Sequence, residues 1–138
     1  MSFEKIAPLS VYMDDSKVLE FSFASNIEAK NKEEKRHELI VNYKFLPQRN
    51  DKGDIVLDFV LDVDSNGAPT YDIHFKSRTI FIFLDDATED QKDEYLKDEG
   101  ALKVIDIART YIKIATASGV YESFSIPAFS PRDSASNK

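Results

Sequence analysis

The chain has 138 residues, a formal net charge of -7 and no cysteine. That length supports one domain with an adequate core, and the missing thiols exclude disulfides and thiolate metal sites. The acidic balance disfavours nucleic acid phosphates and favours basic partners.

No stretch is apolar over the length a membrane span needs, and the opening MSFEKIAPLS has no signal-peptide core. The expectation is a soluble, cytoplasmic protein that neither inserts in a membrane nor binds nucleic acid. Residues 1–138 read as a single domain, with an ordered core over about 9–130 and a polar tail over 131–138.

The first predicted strand covers residues 9–24. Leu9, Val11 and Met13 alternate, Asp14-Asp15-Ser16 interrupts as a bulge or bend would, and Leu19, Phe21 and Phe23 resume the alternation. A long charged crossover follows from Asn26 to Glu38. In the second strand Leu39, Val41, Tyr43 and Phe45 share a face, and Pro47 with the polar run after it closes a hairpin. The third places Ile55, Leu57, Phe59, Leu61 and Val63 inside and Asp58, Asp62 and Asp64 outside. Ser65-Asn66-Gly67 is a strong hairpin signal. The fourth strand presents Tyr71, Ile73 and Phe75, then Thr79, Phe81 and Phe83. Its TIFIFL end is apolar on both faces, so both sides need cover or one is a binding or subunit surface.

Thr88-Glu89-Asp90-Gln91 fits a capping box opening a short helix to about Lys97. A long helix follows from Gly100, with a wide apolar face of Leu102, Val104, Ile105, Ile107, Ala108, Tyr111, Ile112, Ile114 and Ala115. That face is wide enough to cover a sheet and also a second subunit. Gly119 is the expected left-handed residue after the helix. Val120, Phe124 and Ile126 read as extended, and Pro127 and Pro131 prevent further helix. The predicted fold class is α+β, with four antiparallel strands in two hairpins joined by a crossover and the helices on one face.

Signals for chemistry are sparse. Asp62-x-Asp64-x-Asn66-Gly67 copies the start of a calcium loop, but the position for its bidentate Glu holds Ile73 and the flanks alternate as strands. The two histidines, His37 and His74, have no partner at a spacing that suggests a metal pair or a nucleophile and base. The glycines are explained by turns and helix ends, and no loop cradles a phosphate. The expectation is a non-enzyme with no cofactor and no metal. Residues 85–99 hold eight acids and two lysines. They complement the positive end of the long helix, or they form a docking patch for a basic partner.

Three segments carry a family resemblance. They are VLEFSFASN in the first strand, RTIFIF at the end of the fourth, and VIDIARTYIKIATASGVYESFSIPAF. Within the last, Ala108-Arg109, Ser118-Gly119 and Ile126-Pro127-Ala128-Phe129 follow one another in the family's order. In these residues, over about 9–130, the chain resembles the SecB protein-export chaperones and their shorter SecB-like relatives. It reads as a short relative without the family's second C-terminal helix and without its zinc tail.

The resemblance implies a SecB-like four-stranded antiparallel sheet with helices packed on one face. It also implies an ATP-independent holdase that binds non-native polypeptides, acts in protein export with the SecA motor as a partner, and forms a homodimer or homotetramer. Binding unfolded chains needs exposed apolar surface rather than a catalytic constellation. The candidate client contacts are Phe45, Leu46, Phe81, Phe83, Tyr121, Phe124, Ile126 and Phe129, each of which also reads as core or subunit interface. The candidate partner-docking residues are Glu20, at an acidic position the family uses for motor contact, and Asp85, Asp86, Glu89 and Asp90. Ala24, Asp72 and His74 depart from the family's residue types. The alternative is a non-catalytic interaction module that binds one folded partner through the sheet or through segment 85–99.

Overall fold

The structure is a computed structural model that describes residues 11–25, 39–84, 87–119, 124 and 126. Strands β1 (Val11–Ser25), β2 (Ile40–Arg49), β3 (Ile55–Asp64) and β4 (Tyr71–Phe83) form one antiparallel sheet in the spatial order β1-β4-β3-β2. The two expected hairpins share β3. The crossover precedes both and places β1 beside β4, leaving β1 and β2 as the edges.

The central hairpin is looser than the Asn-Gly signal predicts. Asn66 and Gly67 both have positive φ, at 52° and 80°, but they lie within a longer connection, 65–70, rather than forming a two-residue turn. The Asp64 carboxylate accepts the Asn66 N–H at 2.8 Å, and Asp72 accepts the Ser65 N–H at 2.7 Å. Two acids of the calcium-loop look-alike region thus serve the hairpin, and among the described residues no group of metal-binding side chains gathers. At the β2–β3 turn the Asn50 side-chain oxygen accepts the N–H groups of Lys52 and Asp54, both at 3.0 Å. The second strand does not end at Pro47. It continues to Arg49 with Pro47 opposite Leu57, because an edge strand tolerates a residue without an N–H.

β1 carries the expected irregularity at Asp14 and a second one at Leu19. The second moves Val18, rather than Leu19, onto the core face with Phe21 and Phe23, and leaves Leu19 exposed. Each extra residue reverses the alternation from that point, which a strict period of two does not anticipate.

The core lies on one face of the sheet. Ile55, Leu57, Phe59, Leu61 and Val63 from β3 and Tyr71, Ile73, Phe75 and Phe81 from β4 are buried there. Ser77 and Thr79 continue the same row, and Thr79 shares a 2.9 Å hydrogen bond with Ser16 of β1. Helix α1 (Glu89–Tyr95) is opened by the expected capping box. Thr88 Oγ1 accepts the Gln91 N–H at 3.2 Å, and Gln91 Oε1 accepts the Thr88 N–H at 2.8 Å.

The helices were expected to be separate. A five-residue π-helical turn, Leu96–Gly100, instead joins α1 to α2 (Ala101–Thr116), and Gly100 keeps helical φ and ψ of -63° and -46°. The wider turn lets Tyr95 and Leu96 on one side, and Ala101, Val104 and Ile105 on the other, all reach the core.

Of the apolar residues of α2, Val104, Ile105, Ala108 and Ile112 are buried with Ala101, Ile107 and Ala115 are half-buried, and Leu102, Tyr111 and Ile114 are exposed. At the helix end Thr116 Oγ1 donates to the Ile112 carbonyl at 2.7 Å and accepts the Phe124 N–H at 2.8 Å. That bond fixes the returning chain, whose Phe124 and Ile126 are buried. Gly119 is not left-handed, since the positive-φ glycines among the described residues are Gly53 and Gly67. Its role is space: a Cβ there would overlap the Tyr71 hydroxyl and lie 2.8 Å from the ring carbon that bears it.

Candidate functional site

The two faces of the sheet differ in chemistry. On the helix side α2 packs against β4, and the cover thins toward β2. The core-side residues of β3 are sealed, whereas Leu39, Val41, Tyr43 and Phe45 beside them are only half-buried. They form an apolar margin along a strand whose outer edge has no strand partner among the described residues. Phe45 lies 5.0 Å from Phe59 between ring centroids, and Tyr43 meets Phe45 edge-on at 6.0 Å. Rigid aromatic side chains in such a row offer contact area at low entropic cost.

The opposite face is divided: Val56, Ile80 and Ile82 are half-buried on an apolar part, Val60 is buried on the same face, and the remainder is polar and ordered. Arg78 of β4 holds Asp58 of β3 in a two-pronged ion pair, with nitrogen–oxygen distances of 2.8 and 2.9 Å. Asp58 lies on the outer face as expected, yet its side chain is only 7 % exposed because Arg78 covers it. The pairing with Asp58 raises the Arg78 pKa further above its ordinary value. Further along the same face, beyond the Lys76–Val60 pair, His74 stands between two carboxylates. Its Nδ1 is 2.6 Å from Asp62 and its Nε2 is 2.7 Å from Glu20. Hydrogen bonding to Asp62 first, and to Glu20 next, raises the His74 pKa above its ordinary 6.5. Beside the trio an open depression of about 560 Å³ is lined by Ser22, Asn42, Asp64 and Asp72 with His74.

No family model matches the chain, and no curated protein matches it in sequence. Solved structures do. The Mycobacterium tuberculosis SecB-like chaperone Rv1957, solved in complex with a ChAD peptide from the HigA1 antitoxin Rv1956, superposes with a TM-score of 0.61 at 16 % identity, over 86 % of this chain and 90 % of that one. The chain has a SecB-like fold. A Streptococcus agalactiae protein of unknown function shares the architecture at a TM-score of 0.55 and 10 % identity, over 88 % of this chain and all of that one.

The SecB-like fold separates the candidate residues. Phe45 lies on the half-covered margin, and Leu46, 44 % exposed, lies on the polar face. Phe83 is half-buried, edge-on to Tyr95 with Lys92 over its ring. Phe81, Phe124 and Ile126 are buried core residues that present no surface in this chain. Tyr121 and Phe129 lie outside the described residues, as do Asp85 and Asp86. Glu20 is exposed but bound to His74. Glu89 and Asp90 are exposed in the first turn of α1, where Glu89 pairs with Arg49 at the end of β2.

Sequence reasoning missed the Glu20–His74–Asp62 group, whose members are far apart in the chain. Neither partner was within reach: a two-residue Asn66-Gly67 turn would set Asp62 opposite Tyr71, whereas the longer 65–70 connection sets it opposite His74, and the β1 partner depends on the bulge at Leu19.

Proposed function

We propose that this protein is an ATP-independent, holdase-type chaperone that binds non-native polypeptides on the helix-side margin of β2. One observation carries the reading. Val41, Tyr43 and Phe45 line up half-exposed beside a sealed core, on a strand whose outer edge has no strand partner among the described residues. An extended apolar segment would gain about 25 cal/mol for each square ångström of apolar surface it buries there, and the edge offers backbone hydrogen bonds as well. The peptide complex of the SecB-like Rv1957 supports the same reading by analogy of fold.

The finer parts of the proposal are a cytoplasmic homo-oligomer, dimer or tetramer, that acts without cofactor or catalysis. It passes clients to protein export, with the SecA motor as the partner. Phe45 is the candidate client contact on the β2 margin; Leu46 on the opposite face and Phe83 on β4 are the other described candidates with exposed surface, joined by Tyr121 and Phe129. Glu20, Glu89 and Asp90, with Asp85 and Asp86, are the docking residues. The ordered ion pairs of the polar face favour a second reading, a module that binds one folded partner there.

The test is dilution of a chemically denatured, slowly folding protein into buffer with and without this chain, followed by light scattering. Near-stoichiometric suppression without nucleotide, weakened in Phe45→Ser, is the expected result. No suppression of several unrelated clients overturns the holdase reading and leaves the single-partner module.

A further inference from the structure

The Glu20–His74–Asp62 group joins three strands, and its geometry constrains its protons. Asp62 lies on β3, His74 on β4 and Glu20 on β1. A carboxylate oxygen only accepts hydrogen bonds, and a neutral imidazole has one N–H and one lone pair. Both ring nitrogens are within 2.7 Å of a carboxylate oxygen. With the carboxylates ionised, both contacts are hydrogen bonds only when both nitrogens carry a proton.

We propose that His74 is a proton-operated clasp that ties the edge strand β1 to β4 and β3 across the polar face, and that opens on loss of one ring proton to free one of its two carboxylates, Glu20 or Asp62. Loss of the proton sets a lone pair against one carboxylate, and one arm must let go. Where the clasp sits depends on the bulge. The extra residue at Leu19 brings Glu20 opposite Lys76 on the polar face, within reach of His74. Released from His74, Glu20 has the Lys76 ammonium as its nearest alternative by register.

The groups around His74 on every neighbouring strand favour the closed form. From β3 they are Asp62 and Asp64, from β1 Glu20, and from its own strand Asp72. The opposing cations are Lys76 on β4 and Lys44 on β2, which faces Val60 across the β2–β3 ladder. The carboxylates outnumber the ammonium groups, and two of them are in hydrogen-bond contact with the ring. The side chain is 37 % exposed, so solvent exchanges the proton freely and screens part of the attraction.

The consequence for stability has a definite sign. A histidine whose folded pKa is raised adds stability that is fully present below its unfolded value near 6.5 and is lost as pH rises through the folded value. The loss therefore falls in a window that begins near the ordinary 6.5 and extends upward. Over the same window the face gains negative charge. This inference is independent of the client-binding reading.

Ring 15N and 1H shifts of the full-length protein, followed through a pH titration, read the His74 proton directly, with His37 as the second histidine signal and His74→Gln for assignment. The expected result is a His74 midpoint above 6.5 that falls in Glu20→Gln and falls also in Asp62→Asn. An ordinary midpoint in the wild type, or a midpoint that either variant leaves unmoved, overturns the three-strand clasp. Urea unfolding supplies the second reading. The stability advantage of wild type over His74→Gln should shrink as pH rises from 6 to 9, and an advantage constant over that range overturns the proposal equally.

Discussion

Ser77 occupies the middle of the core row of β4 with its hydroxyl buried and without a hydrogen-bond partner among the described residues. Its neighbours across the ladders are Val18 and Phe59, neither of which can accept from it through a side chain. A hydroxyl stripped of water without compensation costs about 1–3 kcal/mol. Ser77→Ala should therefore stabilise the protein by about 1 kcal/mol, read as a higher urea midpoint with an unchanged slope. Gly119 predicts the opposite. Alanine there drives a methyl group into the Tyr71 ring, which is itself fully buried and has no room to retreat. Overpacking of this kind costs about 1–3 kcal/mol, so Gly119→Ala should lower the midpoint. The alternation along β4 was legible, but Ser77 read as a gap between Phe75 and Thr79. Gly119 read as a φ requirement because a helix-ending glycine usually is one. Nothing in a linear pattern reports that a tyrosine 48 positions earlier lies against it.

Elements end where local chemistry satisfies the backbone, and those ends divide into two kinds. Thr88 and Gln91 are three apart and bond to each other, so the start of α1 was readable from four residues. The break expected after it was not a break, because Gly100 can be helical as easily as not and the choice falls to packing by Tyr95 and Leu96. The bulge at Leu19 is likewise a tertiary decision, made by the β1–β4 pairing. Since α1 runs through the π-helical turn into α2, the cap anchors a longer rod than its seven residues suggest. Thr88→Ala should cost about 1 kcal/mol, and amide exchange should quicken first in α1. Equal acceleration along α2 would mean that the two helices open together and that the π-helical turn is no boundary.

At the scale of the molecule, one sheet carries a face that is ion-paired in part and apolar around Ile80 and Ile82, and a helix-covered face whose cover is incomplete at both edges. Along β2 the exposed margin is the candidate client surface. Along β1 the exposed residues are Met13, Leu19 and Phe23, and the outer stripe of α2 adds Tyr111 and Ile114. The width of the α2 apolar face was legible from spacing, and so was the surplus beyond what one sheet can cover. The identity of the surplus was not, because it depends on which side of the helix meets β4. Ile114 is 69 % exposed and is the cleanest probe of that surplus. Tyr111 is a poorer one, since its ring packs edge-on against Phe21 at 5.2 Å and tilted against Phe75 at 5.8 Å. A charged residue at position 114 should leave the folded chain within about 0.5 kcal/mol of wild type, as exposed substitutions usually do. If the outer stripe of α2 is where copies of the chain meet, as the proposed oligomer requires, burying that charge in an apolar contact carries a penalty of several kcal/mol. Ile114→Asp should then lower the sedimentation mass at concentrations where wild type is assembled, with an unchanged thermal midpoint in the dissociated protein. Equal masses for both at every concentration would exclude this stripe from the assembly and leave the β1 edge as the remaining apolar margin on that side of the sheet.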